Sequence, residues 1–289
     1  MTLRPKVTVY MPTHNRCELI SRAIDSVLAQ DYPNIELIIV DDGSSDNTWQ
    51  RLEELSQQHP IIRIFRHEQP KGACAARNLA LEHATGSLMT GLDDDDEFLP
   101  HRISHLVANF DEGYAFVCTG FLWHYGKRTR AVDATSKIIT LAEQLNYNYA
   151  TNQVLVAKDR LAAVGGFDTE FVACQDYDTW TRLILTFGKA KRIAGSSYVI
   201  HRDDAVERIT EPTNWLRGHQ QYLDKHGHLM SHINKKNQLF RRLIAKRQVL
   251  SFFMLPAQLR AGLVSQKIRY FLSSNFSGLA KLRKRLLSR

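Results

Sequence analysis

Residues 35–46 read IELIIVDDGSSD. The first six of them, 35–40, are mostly apolar, and acidic and small polar residues follow directly at 41–46. Such a run is typical of a strand buried on both faces of a parallel sheet, and the Ser and Asp residues after it can cap a helix predicted at 47–58. The same order occurs upstream, where VTVYM at 7–11 precedes PTHN and a helical pattern over 19–28. Strand, loop and helix therefore repeat, which predicts right-handed βαβ units.

The alternation continues along the chain. Further strands are predicted at 61–65, 87–92, 115–119, 154–156 and 198–200, and further helices at 72–84, 176–187 and 211–226. This order predicts an α/β fold in which a mixed, mainly parallel sheet is flanked by helices. The 289 residues, 44% of them apolar, are enough to bury a core of that kind.

Polar residues follow three of the predicted strands, at 12–15 (PTHN), 41–44 (DDGS) and 93–96 (DDDD). In open parallel sheets the ligand binds beyond the carboxyl ends of the strands, so these residues mark the expected site. Neither G-x-G-x-x-G after the first strand nor G-x-x-x-x-G-K-[ST] anywhere is present. A phosphate-containing ligand would therefore have to be held without a glycine-rich cradle.

The four consecutive carboxylates Asp93, Asp94, Asp95 and Asp96 repel one another unless a cation or a ligand compensates them. Alternate residues of an extended segment point the same way, so Asp93 and Asp95 can share one face. Hard oxygen ligands select Mg²⁺ or Mn²⁺, which keep open positions for substrate phosphate. The alternative is a solvated acidic loop, which needs no ion.

The net charge of +8 is unevenly distributed. Residues 225–289 contain 15 Lys and Arg and no Asp or Glu, whereas residues 1–224 contain all 30 acidic residues and the other 23 basic ones. Such asymmetry indicates an acidic folded domain, here residues 1–225, followed by a basic tail, residues 226–289. The four cysteines lie far apart without a C-x-x-C pair, which argues against a disulfide framework or a zinc knuckle.

The basic tail alternates cationic and apolar residues, which predicts amphipathic basic helices lying on an anionic membrane surface. A helical extension packed on the folded domain is the alternative, and nucleic-acid binding is disfavoured because the apolar faces are large and no recognised module precedes them. The N-terminus lacks a signal-peptide pattern, and the longest apolar run without charge, Gln248 to Leu259, has twelve residues. The expected location is the cytoplasm, peripheral on the inner face of the cell membrane.

Six motifs together resemble the family 2 glycosyltransferases of the GT-A fold over residues 6–205. They are VTVYMPTHNR at 7–16, IELIIVDDGSSDNT at 35–48, KGACAARNLAL at 71–81, GLDDDDEFLP at 91–100, GGFDTEF at 165–171 and QDYDTWTRL at 175–183. Their order and spacing make the resemblance specific, whereas a DDGS or a D-x-D alone would not.

The resemblance implies a donor-binding set for a nucleotide-diphosphate sugar. Its members are Pro12, Thr13 and Asn15 beside the nucleotide, Asp41 and Asp42 on the base, Arg77 and Asn78 towards the diphosphate and ribose, and Asp93 and Asp94 in the D-x-D-D segment. In that segment the resemblance assigns the metal to Asp95, with Asp93 near the ribose or donor sugar. His201 is similar to a histidine that some members place near the metal, although a structural hydrogen-bonding role is the alternative.

The resemblance also implies that Asp176 is the catalytic base. Gln175 stands where Glu is more usual, so no role is assigned to 175. Asp178 is expected to be a helix cap or an acceptor contact, and Trp123, Tyr125 and Trp180 are expected in the core rather than in an acceptor platform. One base with direct displacement inverts the anomeric centre.

These observations lead to one hypothesis and one alternative. The hypothesis is an inverting, Mn²⁺- or Mg²⁺-dependent glycosyltransferase that moves a sugar from a UDP-sugar or other nucleotide-sugar to a saccharide acceptor, for example a lipid-linked intermediate of surface polysaccharide. The alternative is a non-catalytic nucleotide-sugar or glycan-binding module on the same fold, which would be expected to lose the base or the acidic cluster.

Overall fold

The computed structural model describes residues 4–126, 128–150, 153–201, 212–276 and 278. The chain divides into two compact units. The first comprises Met1–Leu141, Tyr149–Phe171 and Gln175–Glu207, and the second comprises Ala142–Asn148, Val172–Cys174 and Arg208–Arg289.

Strands and helices alternate through the first half of the first unit. In chain order they are β1 (Val7–Thr13), α1 (Ile20–Leu28), β2 (Ile35–Asp41), α2 (Thr48–Gln58), β3 (Ile62–Arg66), α3 (Ala73–His83), β4 (Leu88–Gly91), β5 (Glu97–Phe98) and α4 (Arg102–Ala108). Then follow β6 (Val117–Tyr125), β7 (Arg128–Val132), β8 (Lys137–Ile139), β9 (Val156–Ala157), α6 (Lys158–Ala163), α7 (Gln175–Phe187) and β10 (Ala190–His201). Helix α5 (Leu141–Gln144) precedes β9 in the chain and belongs to the second unit from Ala142 onward.

The first sheet has the strand order β3-β2-β1-β4-β9, in which only β9 runs antiparallel to its neighbour. Every residue of β2 is buried, as expected for a strand covered on both faces. Helix α1 buries Ile20, Ala23, Ile24 and Val27, which recur at the spacing of one helix face. The α/β fold with a mainly parallel sheet is therefore confirmed.

A second sheet has the order β5-β10-β6-β7, with β8 also paired to β10. Strands β10 and β6 are parallel, while β5, β7 and β8 pair antiparallel with their neighbours. The sequence predicts only the short segments 115–119 and 198–200 of this sheet. The interrupted apolar pattern explains the shortfall, because β10 carries the exposed residues Ala194 and Gly195 and changes register there.

The second unit is helical. Its main elements are α8 (Pro212–His226), a 3₁₀ turn (Gly227–Leu229), α9 (His232–Ala245), α10 (Leu255–Leu259) and α11 (Val264–Asn275). Helix α8, which charge alone assigns to the folded domain, belongs to this unit, so the predicted boundary at 225 falls inside it. The basic residues from Lys281 onward lie outside the described residues. Within the described ranges, no helix combines the length and the apolar character that crossing a bilayer requires.

Candidate active site

The register of the first sheet aligns the ends of three strands. Thr13 at the end of β1 pairs with Asp41 at the end of β2, and Tyr10 of β1 pairs with Gly91 at the end of β4. Gly91 is required here, because a Cβ would lie 2.2 Å from Oε1 of Gln153 and 2.4 Å from the Tyr10 ring. The segments predicted to form the site therefore share one edge of the sheet, as expected.

Asn15 connects the loop after β1 to the loop after β2. Its Oδ1 accepts the backbone N–H of Ser45 at 2.8 Å, and its own N–H donates to the hydroxyl of Ser44 at 2.8 Å. Asn15 has a φ of 52°, a left-handed conformation that Asn tolerates better than most residues. Pro12 is partly buried and Thr13 is buried beside this junction.

Asp41 and Asp42, both predicted to contact the base, are buried and are bonded within the protein. Asp41 accepts the backbone N–H of Ser44 at 3.1 Å and pairs with the Arg66 guanidinium at 3.0 Å. Asp42 accepts backbone N–H groups of Lys71 at 2.9 Å and Gly72 at 2.7 Å.

A further bond, from Nδ1 of His67 at 2.7 Å, completes the Asp42 contacts. Burial by itself raises the pKa of Asp42, but these donors outweigh it and lower the pKa below its ordinary value. Both carboxylates therefore shape the loops around the expected nucleotide position.

Arg77 and Asp93 form a partly buried ion pair, with 3.0 Å between Nη2 and Oδ1. The same Asp93 oxygen accepts from Nε2 of Gln153 at 3.3 Å, and the Asp93 backbone N–H donates to the Tyr198 hydroxyl at 3.1 Å. The structure thus brings into contact Arg77 and Asp93, which the resemblance assigns to the same donor site, and it adds contacts from Gln153 and Tyr198 that the sequence does not indicate.

The next three carboxylates differ in environment. Burial raises the pKa of Asp94 to about 7, and the charge of Asp95 adds to the shift. Burial also raises the pKa of Asp96 well above its ordinary value, and the charges of Asp95 and Asp93 add to that effect. Asp95 is partly buried, and its backbone carbonyl accepts from Arg22 at 2.5 Å. The acidic segment therefore concentrates negative charge that its surroundings only partly neutralise.

His201 lies beside this segment. Its backbone N–H donates to Asp96 at 3.2 Å, and its Nε2 lies 2.9 Å from Oε2 of Glu97. Its ring stands 4.7 Å from that of His124. Glu97 also pairs with Arg22 at 3.8 Å, so the predicted metal ligand His201 is bonded to a carboxylate that the sequence does not single out.

Asp176 occupies the first turn of α7. Burial raises the pKa of Tyr10, the nearby Arg77 lowers it, and the charges of Asp93 and Asp176 both raise it. The predicted base and the acidic segment thus act on the same buried phenol at the carboxyl half of β1. Contacts also link α7 to the helix that carries Arg77, because Arg182 of α7 donates to the carbonyl of Gly166 and the adjacent Phe167 bonds Asn78.

Asn78 holds the loop that precedes α7. Its Nδ2 donates to the carbonyl of Phe167 at 2.7 Å, and its Oδ1 accepts the N–H of the same residue at 2.8 Å. A Cβ at Gly166, whose φ is +64°, would lie 2.5 Å from that Oδ1. Asn78, predicted to contact the diphosphate or ribose, is therefore bonded to protein backbone through both the nitrogen and the oxygen of its side-chain amide.

Asp178 lies in the first turn of α7. It is fully buried inside α7 and accepts from Nε of Arg182 at 2.8 Å, and the Arg182 guanidinium also donates to the carbonyl of Gly166 at 2.8 Å. This network fixes α7 relative to the glycine loop. Trp180 lies in the core as expected, whereas Tyr125 is about half exposed.

Arg102, at the start of α4, is a residue that the sequence does not identify. It is 1% exposed and has no ion-pair partner among the described residues. Its guanidinium donates to Thr119 at 2.9 Å and to the carbonyl of Gln153 at 3.3 Å, and it lies 5.2 Å from the ring centre of Tyr198. The sequence does contain an indication of its burial, because Arg102 precedes Leu106 by four residues and so lies on the same, core-facing side of α4.

Two of the residues that Arg102 contacts, Gln153 and Tyr198, also bond Asp93. Arg102 therefore stabilises the acidic segment indirectly, through the two residues that bond Asp93. The sequence cannot indicate this relation, because residues 93, 102, 153 and 198 come together only in the folded chain.

Chemically, the site combines a partly buried anionic segment with a separate carboxylate on a helix. Within the part of the chain that the structure describes, no group of three or more His, Cys, Asp or Glu side chains is arranged to hold a metal ion. The arrangement suits a reaction in which one carboxylate removes a proton and the acidic segment holds a cation-bound anionic substrate.

Comparison with known proteins identifies the family. The sequence profile described as glycosyl transferase family 2 matches residues 8–167. The chain is 33% identical over 252 residues to WcaA of Escherichia coli (strain K12), a protein named as a colanic acid biosynthesis glycosyl transferase, covering 83% of this chain and 88% of WcaA. This chain belongs to glycosyl transferase family 2. It is a glycosyltransferase, as the motifs predict.

A second relative of this glycosyltransferase is GalNAc(5)-diNAcBac-PP-undecaprenol beta-1,3-glucosyltransferase of Campylobacter jejuni. It is 40% identical over 114 residues, which cover 39% of this chain and 37% of that protein. The match therefore spans less than half of that relative's length.

Solved structures share the fold. TarS 1–349 of S. aureus in complex with UDP-GlcNAc has a TM-score of 0.67 at 18% identity, covering 89% of this chain and 79% of that one. The mannosyltransferase PcManGT of Pyrobaculum calidifontis, in complex with GDP-Man and Mn²⁺, has a TM-score of 0.56 at 20% identity, covering 100% and 82%. These likenesses confirm the GT-A fold.

Proposed function

We propose that this glycosyltransferase inverts the anomeric centre while it moves a sugar from a UDP-sugar, or another nucleotide-sugar, to a hydroxyl of a saccharide acceptor. The observation that supports this most directly is a chain of contacts that begins at the acidic segment, where Arg77 pairs with Asp93 and the neighbouring Asn78 bonds Phe167. Arg182, on the helix that carries Asp176, donates to the carbonyl of the adjacent Gly166. An acidic donor segment and a separate carboxylate are the two components that direct displacement requires.

Asp176 is the proposed base. As the acceptor oxygen attacks the anomeric carbon, the Asp176 carboxylate takes the hydroxyl proton, and the bond from that carbon to the diphosphate breaks. Attack from the side opposite the leaving group converts an α-linked donor into a β-linked product. A positioned base contributes about 10²- to 10⁴-fold in rate.

The proposed donor site is the carboxyl edge of the first sheet. Asn15, Asp41, Asp42 and Asn78 act mainly by fixing its loops, because their side chains bond protein partners. Arg77 orients Asp93, which we assign to the ribose or donor sugar. The proposed donor set further includes Pro12, Thr13 and Asp94.

The proposed cation is Mn²⁺ or Mg²⁺. Since no three His, Cys, Asp or Glu side chains among the described residues are arranged to hold an ion, it would bind together with the substrate, whose phosphate oxygens supply further ligands. Burial first, and then the charges of Asp95 and Asp93, hold the pKa of Asp96 high, and a bound cation would relieve that repulsion. Asp95 and Asp93 would hold it, with substrate phosphate completing the coordination. When bound, the cation neutralises charge that develops on the leaving diphosphate. His201 is the weaker candidate ligand, because its Nε2 already contacts Glu97.

Chelation tests the metal. Treating the protein with EDTA is expected to lower nucleotide-sugar turnover at least about tenfold, because cation neutralisation of the leaving group contributes several kcal/mol. Restoring Mn²⁺ or Mg²⁺ should recover the activity, which is measured as release of nucleoside diphosphate. Full turnover in excess EDTA would contradict metal dependence.

The names of relatives suggest the substrates. TarS is described in complex with UDP-GlcNAc, and the Campylobacter relative is named for an undecaprenol-linked acceptor. We therefore propose a UDP-sugar donor and a lipid-linked saccharide acceptor in surface polysaccharide synthesis. This acceptor, together with the basic C-terminal region, supports a peripheral location on the inner face of the cell membrane.

A panel of sugar nucleotides tests the function. Diphosphate release is measured for each donor with Mn²⁺ and lipid-linked acceptor, and the anomeric configuration of the product is read by NMR. One donor is expected to turn over with inversion. Failure of every nucleotide-sugar in the presence of divalent cation would overturn the proposal, and a retained configuration would overturn the mechanism.

The contacts of Arg102 with Gln153 and Tyr198 give another prediction. Arg102→Met is expected to raise the donor KM about tenfold with a smaller change in kcat, because Gln153 and Tyr198 lose the guanidinium that fixes them against Asp93. Initial rates across donor concentrations measure the split. Arg192→Met is the matched control, since Arg192 is also buried but pairs with Asp133 at 3.3 Å. Equal KM values for the Arg102 variant and wild type, with native circular dichroism, would contradict the positioning role.

A further inference from the structure

Helix α11 carries a strip of exposed apolar side chains. Val264, Ile268 and Leu272 recur every four residues and are 47%, 41% and 42% exposed, and Phe276 continues the spacing at 46%. The neighbouring row of the same helix is buried and includes Lys267, whose Nζ donates to Asn237 at 2.6 Å. The helix is therefore fixed with an apolar row facing solvent.

A second exposed apolar group precedes α10. In the turn at 249–254, Phe253 is 96% exposed and Phe252 is 64% exposed, with Val249 and Met254 also exposed. This group is called here the aromatic turn. Exposed apolar side chains concentrated in this way mark an interaction surface, since monomeric proteins rarely leave large apolar patches in water.

The aromatic turn is anchored to α11 within the second unit. The ring of Phe252 packs edge-on against Phe271 at 4.6 Å between centroids. Leu250 is fully buried, and its carbonyl accepts from Asn275 at 2.9 Å. These contacts hold the turn beside the C-terminal half of α11, so the two apolar groups are parts of one built surface.

The charges around this surface identify the partner. Exposed cations flank it at Lys246, Arg247, Arg260 and Arg269, and residues 225–289 contain no Asp or Glu. A second copy would bring the same positive charge against itself. A surface that is apolar and cationic matches the interface of an anionic bilayer, which offers acyl chains and negative headgroups together.

We propose that the aromatic turn and the exposed strip of α11 insert into the headgroup region of an anionic bilayer. The proposal rests on the membrane location proposed above and names the surface responsible. Phe252 and Phe253 enter the boundary between headgroups and acyl chains, while the flanking Lys and Arg side chains contact the lipid phosphates.

Vesicle flotation of the full chain tests the proposal. Wild type is expected to float with vesicles of 30% phosphatidylglycerol in phosphatidylcholine, less with phosphatidylcholine alone, and less at high salt because screening weakens the headgroup contacts. The pair Phe252→Ser and Phe253→Ser, and separately Ile268→Ser with Leu272→Ser, should each weaken binding at least about tenfold. Leu185→Ser, at an exposed apolar site of the first unit, is the matched control and should bind as wild type.

Two further measurements separate the outcomes. Phe253→Trp should give an emission blue shift on adding anionic vesicles, and the serine variants should still turn over nucleotide-sugar with a water-soluble acceptor. Variants that float as well as wild type would overturn the insertion surface while leaving the membrane location in place. Wild type that floats with neither kind of vesicle would overturn both the insertion surface and the membrane location. The proposed sugar transfer would remain open to its own test, which is the transfer rate of Asp176→Asn. Loss of self-association in the serine variants without vesicle binding would assign the surface to a second copy instead.

Discussion

Asp176→Asn should reduce sugar transfer by about 10²- to 10⁴-fold while leaving donor affinity nearly unchanged. Asn has the same shape as Asp but cannot take up the acceptor proton at neutral pH. Asp176 lies on α7 and not in the acidic segment at 93–96, so the variant removes the proposed base and leaves the four carboxylates of that segment in place. Transfer rate is measured with saturating donor and acceptor, and donor affinity by calorimetry.

A matched variant separates loss of the base from a general loss of charge. Asp159→Asn removes a carboxylate from the first turn of α6 and should leave the rate unchanged. Helix α6 directly follows Ala157, which pairs with Leu88 at the amino end of β4, whereas the proposed site lies at the carboxyl end of that strand. Robust transfer by the Asp176 variant would exclude Asp176 as the base. A rate loss accompanied by an equal loss of donor affinity would place its contribution in binding.

Glu36→Ala should lower the free energy of unfolding by about 3 kcal/mol. The side chain is 3% exposed at the amino-terminal half of β2 and accepts from the Thr8 hydroxyl at 2.6 Å and from Thr85 N–H at 2.6 Å. Lys6 and Arg63 each approach the same carboxylate within 3.2 Å. Removal leaves these donors without their acceptor, and urea unfolding at pH 7 measures the loss.

The effect should depend on pH. Burial alone raises the pKa of Glu36, but the hydrogen bonds from Thr8, Thr85 and Lys6 outweigh it and lower the pKa from 4.5 to about 2. A lowered pKa contributes stability that is fully present above pH 4.5 and is lost as pH falls towards 2. The difference between wild type and the variant should shrink over that window.

An exposed acid is the control for this stability measurement. Glu53→Ala, on the solvent side of α2, should change the free energy of unfolding by less than about 0.5 kcal/mol at either pH. Because Glu36 lies at the end of the sheet opposite the site, kcat of the folded Glu36 variant should match wild type. A pH-independent loss would show that the contribution comes from packing rather than from the ionised carboxylate.

The acidic segments could be placed on one edge of the sheet from sequence because strand ends follow from local patterns. The β2 strand and its acidic end are continuous in sequence, and the parallel order brings Thr13 beside Asp41. The second sheet was less predictable, since β5 has two residues and β7 is mostly exposed, which leaves little periodic signal. Helix α4 was missed because it is short and polar residues interrupt its pattern.

The apolar rows of the C-terminal helices also show where prediction from the sequence ends. The sequence predicts amphipathic basic helices, but it does not say which row of α11 is buried. Lys267 is buried and Ile268 is exposed, the reverse of what side-chain polarity alone predicts. The buried amide and carbonyl acceptors of Asn237 and Gln258 account for this, because they satisfy the lysine donors inside the unit.

Sequence by itself determined the family, the α/β order and the edge of the sheet that carries the acids, because periodicity and strand polarity are properties of neighbouring residues. Tertiary structure alone decided which of those polar groups already bond protein partners, as Asp42 bonds Gly72 and Asn78 bonds Phe167. It also brought Arg102 into contact with Gln153 and Tyr198, the residues that bond Asp93. Hydrogen bonds of this kind join residues far apart in the chain, and their geometry exists only once the strands and helices have packed.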